Sequence, residues 1–353
     1  DYETTAKDLL AVVKTKKTEL LFMALFLKLL KPGGRAAVIV PNGVLENDGS
    51  AYDVIRRKLV EECKLEAVIA LPHFIFKPYA SVATSILLFR KAAETSNVLY
   101  YKLENDGFSK GAERKPQPGS EMKVVSLAVQ RHRNGTLQAV SGKSELISKH
   151  EIVSNGYDLA PAVYLSGYHL PENMEVVRLG DFFDVARGNV PAAEAGPGRY
   201  LFATTSADFK RSSKFGWDSE AIVIPTVSST GHGHASIKSI HYLNGKFSAA
   251  TITAVLTPKK SKGKDLFVPY FYYYLLAHKD QVLVPQMRGA ANVSLSLERI
   301  ENLKIPLPGG PDRQREAVKA LVSKRGEVAK LNELLTISQS ELIAELEKFG
   351  AAL

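Results

Sequence analysis

From Thr18 to Leu30 apolar residues return at every third or fourth position, and Lys31-Pro32-Gly33-Gly34 closes the run with breakers. The spacing predicts a helix. AAVIVP (36–41) follows as a continuous β-branched run, the pattern of a strand buried on both faces. NGVLENDGS predicts a loop, AYDVIRRKLVEEC a second helix, LEAVIALP a second buried strand and SVATSILLF a third. Helix and strand in this alternation predict an α/β fold, a doubly wound sheet with a mostly parallel core. Only a loop separates the second and third strands, so those two are expected to pair antiparallel as a hairpin. The alternation is already under way at Asp1, and any early strands of such a sheet are expected upstream of it.

Residues 92–145 turn polar and loop-rich around KGAERKPQPGSE, which predicts a connecting or peripheral segment. A second unit is expected from near Met174 to about Pro308, where short strands alternate with Gly, Ser and Asn clusters: VVRLGDFFDVARG, EAIVIPTVSS, SIKSIHYLNGKF and ATITAVLTP. FVPYFYYYLLAHKD is the one strong helix of that region. After Pro306-Leu-Pro-Gly-Gly-Pro311 the chain reads as one long amphipathic helix, with leucine, valine and isoleucine three and four apart.

Composition narrows the class. The chain is 45% hydrophobic and 24% charged, which excludes disorder as the main state. LLFMALFLKLL is broken by Lys28 and too short to span a bilayer, and no signal-peptide pattern is present, so a cytoplasmic location is expected. A single cysteine, Cys63, rules out an internal disulfide and a cysteine-built zinc site, and its amphipathic surroundings predict plain burial. The net charge of +9 favours a polyanionic partner, and its placement is more specific than its sum. Cations recur at Lys210, Arg211, Lys214, Lys238 and Lys246, and again at Lys259, Lys260, Lys262 and Lys264, with few acids between.

HFIFKPYASVATSILLFRK (73–91) ends as a buried strand but begins with Phe74, Phe76 and Tyr79 crowded around Lys77 and Pro78. Flat side chains on a loop at a sheet edge fill a core or offer a stacking surface.

KTKKTELLFMALFLKLLKPGGRAAVIVPNGVL and LVEECKLEAVIALPHFIFKPYASVATSILLFRK resemble the latter half of the adenine-N6 DNA methyltransferases of type I restriction-modification systems. LENDGFSKGAERKP and NGYDLAPAVYL resemble trailing segments of the same subunit, so the likeness covers about residues 14 to 165. VVRLGDFFDVARG, GKFSAATITAVL and QMRGAANVSLSLERIENLKIPLPGGPDRQREAV resemble one target-recognition domain of the specificity subunit of those systems. The resemblance implies three parts: 1–165 as an incomplete doubly wound, Rossmann-like methyltransferase sheet, 174–308 as an α+β target-recognition domain, and 309–353 as a long dimerisation or docking helix. It also implies S-adenosylmethionine as cofactor, through a glycine-rich turn, and an Asn-Pro-Pro-aromatic or Asp-Pro-Pro-aromatic catalytic block. Neither occurs in the sequence. Both are expected before residue 1, which leaves the chain without methyl transfer of its own.

Methylating an exocyclic amine of a duplex requires taking the base out of the stack, at a cost of a few kcal/mol. An aromatic ring offsets that cost by roughly 1–3 kcal/mol per base. By position the resemblance implies Phe76 as the stacking face, Tyr79 as the second choice and Lys77 as a phosphate contact, with Phe74 in the core. Pro41-Asn42-Gly43 reads first as an ordinary turn, with a loop lining a cofactor or DNA cleft at a ligand-bearing strand end as the alternative.

Sequence readout needs side chains that reach base edges and cations that hold phosphates. ADFKRSSKFGWD offers Lys210, Arg211, Lys214 and Trp217, and SSTGHGHASIK offers Thr230, His232, His234 and Lys238 on a glycine-softened turn. The histidine pair has no cysteine or carboxylate neighbours at ligand spacing, so a solvated turn or a DNA contact is expected rather than zinc. Lys259, Lys260, Lys262 and Lys264 stand equally as a solvated loop or a phosphate contact. Arg288 is expected near DNA.

The whole predicts part of an S-adenosylmethionine-dependent DNA adenine-N6 methyltransferase that binds double-stranded DNA. A homodimer, or docking of partner restriction-modification subunits, is expected through the final helix. The alternative is a non-catalytic DNA-binding specificity module. A small-molecule methyltransferase is disfavoured because its chemistry has no use for the basic second unit.

Overall fold

The computed structural model describes residues 5–80, 82–171, 173–230, 234–262, 266–289, 292–320 and 322–323. The chain condenses into two units that are not consecutive in sequence. Residues 226–238 and 278–299, expected within the recognition domain, pack in unit 1 with the methyltransferase-like residues up to His169, and unit 2 holds 170–225, 239–277 and the chain from Ile300.

Unit 1 is built on five strands, β1 (Arg35–Pro41), β2 (Cys63–Ala70), β3 (Thr84–Lys91), β4 (Asn97–Lys102) and β5 (Ser144–Ser148), in the order β1-β3-β2-β4-β5. Its helices are α1 (Lys7–Val12), α2 (Thr18–Leu29), α3 (Gly43–Glu46), α4 (Ser50–Glu61), α5 (Met122–Arg133), α6 (Lys149–Ser154) and α7 (Pro161–Tyr164). β3 pairs antiparallel with β2, as its short connection predicts, but it also pairs antiparallel with β1 on its other side. Of the four pairings only β2 with β4 is parallel, so the sheet is mixed and the expectation of a mostly parallel core is corrected. The cause is local: the described residues of 71–83 contain turns but no helix, so β3 cannot cross over and returns against β2.

Both faces of the sheet are covered. Leu65, Val68, Leu87, Phe89 and Tyr100 meet α2 and α4 through Leu20, Met23, Ile55 and Leu59 on one face. Ala67, Ile69, Leu99 and Tyr101 meet Val125, Ala128 and Val129 of α5 on the other. The pleat sends alternate residues of β2 to both sides, and a register shift between Leu65 and Ala67 sets those two on opposite faces. β4 and α5 thus bring the supposedly peripheral segment 92–145 into the core, because Val98-Leu-Tyr-Tyr101 is a fully apolar strand inside a polar stretch. Cys63 is buried as expected, and burial pushes its thiol up.

The Tyr100 side chain is wholly buried, and its hydroxyl finds no hydrogen-bond partner among the described residues. A buried hydroxyl without a partner costs about 1–3 kcal/mol. Tyr100→Phe is therefore expected to stabilise unit 1 by about 1 kcal/mol, read as a raised urea midpoint at unchanged slope. A lowered midpoint would show that the hydroxyl is satisfied.

Unit 2 is rich in short strands. β6 (Glu175–Arg178), β7 (Phe183–Arg187), β8 (Tyr200–Ala203), β9 (Lys210–Ser212), β10 (Trp217–Asp218), β11 (Ala221–Pro225), β12 (His241–Leu243), β13 (Lys246–Ala249), β14 (Thr253–Pro258) and β15 (Lys304–Leu307) form three sheets. Their orders are β10-β13-β8-β9, β12-β11-β14-β7 and β15-β6. Ala203, Phe247 and Ala249 of the first sheet share a core with Val223, Leu243 and Val255 of the second. α8 (Leu179–Phe182) and α9 (Val268–Val282) as far as Ala277 complete it, with Phe271 set against Phe182 and Phe183. The expected C-terminal helix begins over 311–320, anchored by Gln314, whose side chain donates to Gly309 O and accepts from Phe267 N. The dimerisation expected of it falls largely on residues outside those described. Among the described residues no helix is long and apolar enough to cross a membrane.

Candidate functional site

Unit 1 contains a cavity of about 610 Å³ at the carboxyl ends of β1 and β2, the edge at which α/β sheets carry ligands. Three loops of the first 169 residues line it, joined by Glu19, His234 and Gly289. Pro41-Asn42-Gly43 follows β1 and is pinned in place, since Asn42 Oδ1 accepts from Ser85 Oγ at 2.8 Å and Asn42 N donates to Ala83 O at 2.9 Å. Of the two readings open to that loop, the lining of a cleft is the one observed. Glu46 and Asn47 close the same side; burial pushes the Glu46 carboxyl up, against the pull of nearby Arg288 and Arg299.

The second loop is the aromatic stretch after β2, folded into consecutive turns by Ile75 N to Pro72 O, Lys77 N to Phe74 O and Tyr79 N to Phe76 O. These turns send the rings in different directions. Phe74 lines the cavity, whereas Phe76 packs against the Ala67–Tyr101 core. Phe76, the expected base-stacking face, is half-buried against that core, and Phe74, expected in the core, is half-buried on the cavity wall. Tyr79 is 94% exposed, and Lys77 lies on the cavity wall.

Lys110 and Arg114 hold the Phe74 ring from the third loop, 5.7 and 5.5 Å from its centroid. Arg114 also donates to Phe74 O at 2.8 Å and pairs with Asp106. An aromatic face beside two cations suits a flat, electron-rich ring next to a phosphate. Sequence reasoning puts Phe74 in the core and Lys110 and Arg114 in a peripheral loop; the basic KGAERKP is the signal that could have found them.

His234 stands 5.9 Å, ring to ring, from His73 at the cavity wall, and burial followed by the His234 charge pushes His73 down. Thr230 and Lys238 are exposed in unit 1, and Ser228 and Thr230 both donate to His234 O. His232 lies outside the described residues.

Arg288, expected near DNA, is instead 8% exposed. Its guanidinium donates to Glu46 O, Pro285 O, Met287 O and Asp158 Oδ2, so four of its five N–H donors are spent within the protein. Asp158 Oδ2 also accepts from Arg299 at 2.7 Å, and its Oδ1 accepts from Ala160 N. Arg299 continues to Asp48 at 2.7 Å. Burial raises the Asp158 carboxyl, but Arg288 and Arg299 outweigh it and hold the group below the usual carboxylate range. This ionic knot fastens 278–299 into unit 1.

In unit 2, Lys210, Arg211 and Lys214 are exposed as expected. No described carboxylate pairs with any of the three, and Arg211 Nη1 donates to Arg199 O. Trp217 is half-buried and stacks on Phe247 with 5.6 Å between centroids, so it belongs to the core rather than to a base. The lysine run divides. Lys259 donates to Gly180 O and Lys262 lies 5.1 Å from the Phe182 ring, which leaves Lys260 exposed, while Lys264 is outside the described residues.

The model of the N-6 DNA methylase family matches residues 2–172, and that of the type I restriction modification DNA specificity domain matches residues 171–339. The methylase subunit of the type I restriction enzyme EcoEI from Escherichia coli is 35% identical over 119 residues, which is 33% of this chain and 24% of that protein. The EcoKI methylase subunit from Escherichia coli strain K12 is 45% identical over 78 residues, 22% of this chain and 14% of that one. A solved type I methyltransferase subunit from Streptococcus thermophilus is 27% identical, with a TM-score of 0.35 over 43% of this chain and 30% of its own. The matched part of this chain spans about a quarter of the length of the EcoEI subunit. Residues 2–172 are thus similar to the N-6 DNA methylases and residues 171–339 to the type I restriction modification DNA specificity domains.

Proposed function

We propose that this chain is the base-holding and site-reading part of an S-adenosylmethionine-dependent DNA adenine-N6 methyltransferase of a restriction-modification system. The observation that carries the reading is the cavity at the strand ends of unit 1, with Phe74 set beneath Lys110 and Arg114. A base turned out of a duplex needs a flat partner and nearby cations for its phosphates. Phe74 supplies the first, Lys77 and Lys110 the second, and the Asn42 and Asn47 amides offer hydrogen bonds to a base edge.

The residues present do not fit the cofactor itself. No described strand of unit 1 runs into a glycine-rich turn opening a helix, and the sequence has no Pro-Pro-aromatic block. Holding S-adenosylmethionine and transferring its methyl group are assigned to no residue of this chain, and incubation with labelled cofactor and DNA is expected to leave the DNA unlabelled. The same observation favours a second reading, a non-catalytic DNA-binding specificity module.

Double-stranded DNA is the partner in both readings, and the helix from residue 311 is proposed to join two copies or to dock other restriction-modification subunits. The test is a selection: the chain is incubated with random duplexes near physiological salt and the bound fraction is sequenced. An enriched motif is expected, in two inverted halves if the chain dimerises. Recovery of unselected sequence would reduce unit 2 to a basic surface and remove the site-reading role.

A further inference from the structure

Unit 2 exposes an aromatic pair that no role described so far uses. Tyr200 begins β8, and Phe215 lies in the loop between β9 and β10, with ring centroids 5.0 Å apart. Phe215 is 43% exposed, unusual for a phenylalanine beside a core that accepts Trp217 and Phe247 nearby. The pairing of Leu201 with Phe247 sets Tyr200 beside Lys246 on the sheet face opposite that core. Each ring carries a cation, Lys246 at 4.8 Å from Phe215 and Arg199 at 5.8 Å from Tyr200.

The exposed ring is held in place. The buried Ser248 hydroxyl donates to Lys214 O at 2.7 Å and Gly216 N donates to Phe247 O at 2.9 Å, so the residues on both sides of Phe215 are fastened to β13. The chain is tightly packed next to both aromatic residues. A Cβ on Gly216 would meet the Asn189 amide at 2.7 Å, and one on Gly198 would meet the Ser212 backbone at 2.1 Å. A ring kept open by fixed backbone is preorganised for a partner, because little freedom remains to be lost on binding.

The partner's chemistry follows from the groups. Cations alone suit the phosphates of a closed duplex, whose bases show only their edges. Two rings flanked by cations suit a base whose face is available. We propose that Phe215 and Tyr200 form a stacking platform in unit 2 for a nucleobase that has left the duplex stack, with Lys246 and Arg199 holding the neighbouring phosphates. The proposal rests on the DNA-binding reading and adds to it a base-holding place separate from the Phe74 cavity. Asp218, 3.9 Å from Lys246, is the one described acid paired with these cations, and it tempers their charge without cancelling it.

Binding of the full chain is compared on three duplexes: fully paired, bulged at a single 2-aminopurine, and bulged at an abasic position. The base-containing bulge is expected to bind on the order of tenfold tighter than the abasic one, with 2-aminopurine emission quenched. Phe215→Leu is expected to abolish preference and quenching while paired-duplex affinity holds, and Phe215→Tyr to keep both. Unchanged emission of Trp217, the chain's single tryptophan, certifies that the variants fold. No preference in the wild type, or a preference surviving in Phe215→Leu, overturns the platform while duplex binding still supports the DNA reading. Failure to bind any of the three duplexes overturns both.

Discussion

Asp158→Ala is expected to destabilise unit 1 by about 3–5 kcal/mol, the largest effect of any single substitution outside its apolar core. The cost is more than that of one missing hydrogen bond. Asp158 is 8% exposed and its carboxylate is shared by Arg288 and Arg299, so removing it leaves Arg288, equally buried, as an uncompensated charge. Arg299 retains Asp48, which is why Arg299→Ala is expected to cost less than Asp158→Ala. Urea unfolding followed by far-ultraviolet circular dichroism reads both. A loss under about 1 kcal/mol for Asp158→Ala, the range of exposed pairs, would show that the knot opens to water. The pH dependence carries a sign. The folded carboxyl of Asp158 is held below its unfolded value, so its stabilisation is fully present above the unfolded value, near pH 4, and fades as pH falls through the folded one. The wild type should lose more stability across that acid window than Asp158→Asn does.

That knot shows where sequence reasoning stops. The strands and helices of unit 1 are legible because continuous β-branched runs and 3.6-residue spacing depend on neighbours along the chain. β4 escapes because its short apolar run sits between polar stretches, and the mixed sheet escapes because strand order depends on pairing between distant segments. Arg288 reads as a DNA contact because it lies in a block that resembles the recognition domains of specificity subunits; its acid partner lies 130 positions earlier, and pattern does not join them. The aromatic stretch is legible as a segment, and the placing of each of its rings is not. Phe74 and Phe76 are separated by one turn, and only the path of that turn decides which meets the core. The exposure of Lys210, Arg211 and Lys214 is legible for the opposite reason, since a cation requires no distant partner to face solvent, even though Lys210 and Arg211 lie on β9.

Those three cations carry the second large prediction. Replacing Lys210, Arg211 and Lys214 together by alanine is expected to weaken duplex binding at about 0.15 M salt on the order of a hundredfold and to make the salt dependence shallower by up to roughly 0.9 for each phosphate no longer neutralised. The reasoning is counterion release: each exposed cation without a carboxylate partner displaces a condensed ion when it meets a phosphate, whereas a cation already engaged does not. Lys259 and Lys262 serve as the contrast. Lys259 is bonded to Gly180 O and Lys262 sits over Phe182, so alanine at both should leave the salt slope alone and act, if at all, on the stability of unit 2. Titrations of labelled duplex at several salt concentrations measure both slopes. If the slope stays steep in the triple variant and flattens in the Lys259 and Lys262 variant, the phosphate-binding face of unit 2 is the lysine run, and local pairing in the free protein is a poor guide to which cations meet DNA. If only the triple variant flattens, the cations without carboxylate partners are the ones that hold the backbone, and sequence discrimination must come from the remaining side chains of the same unit.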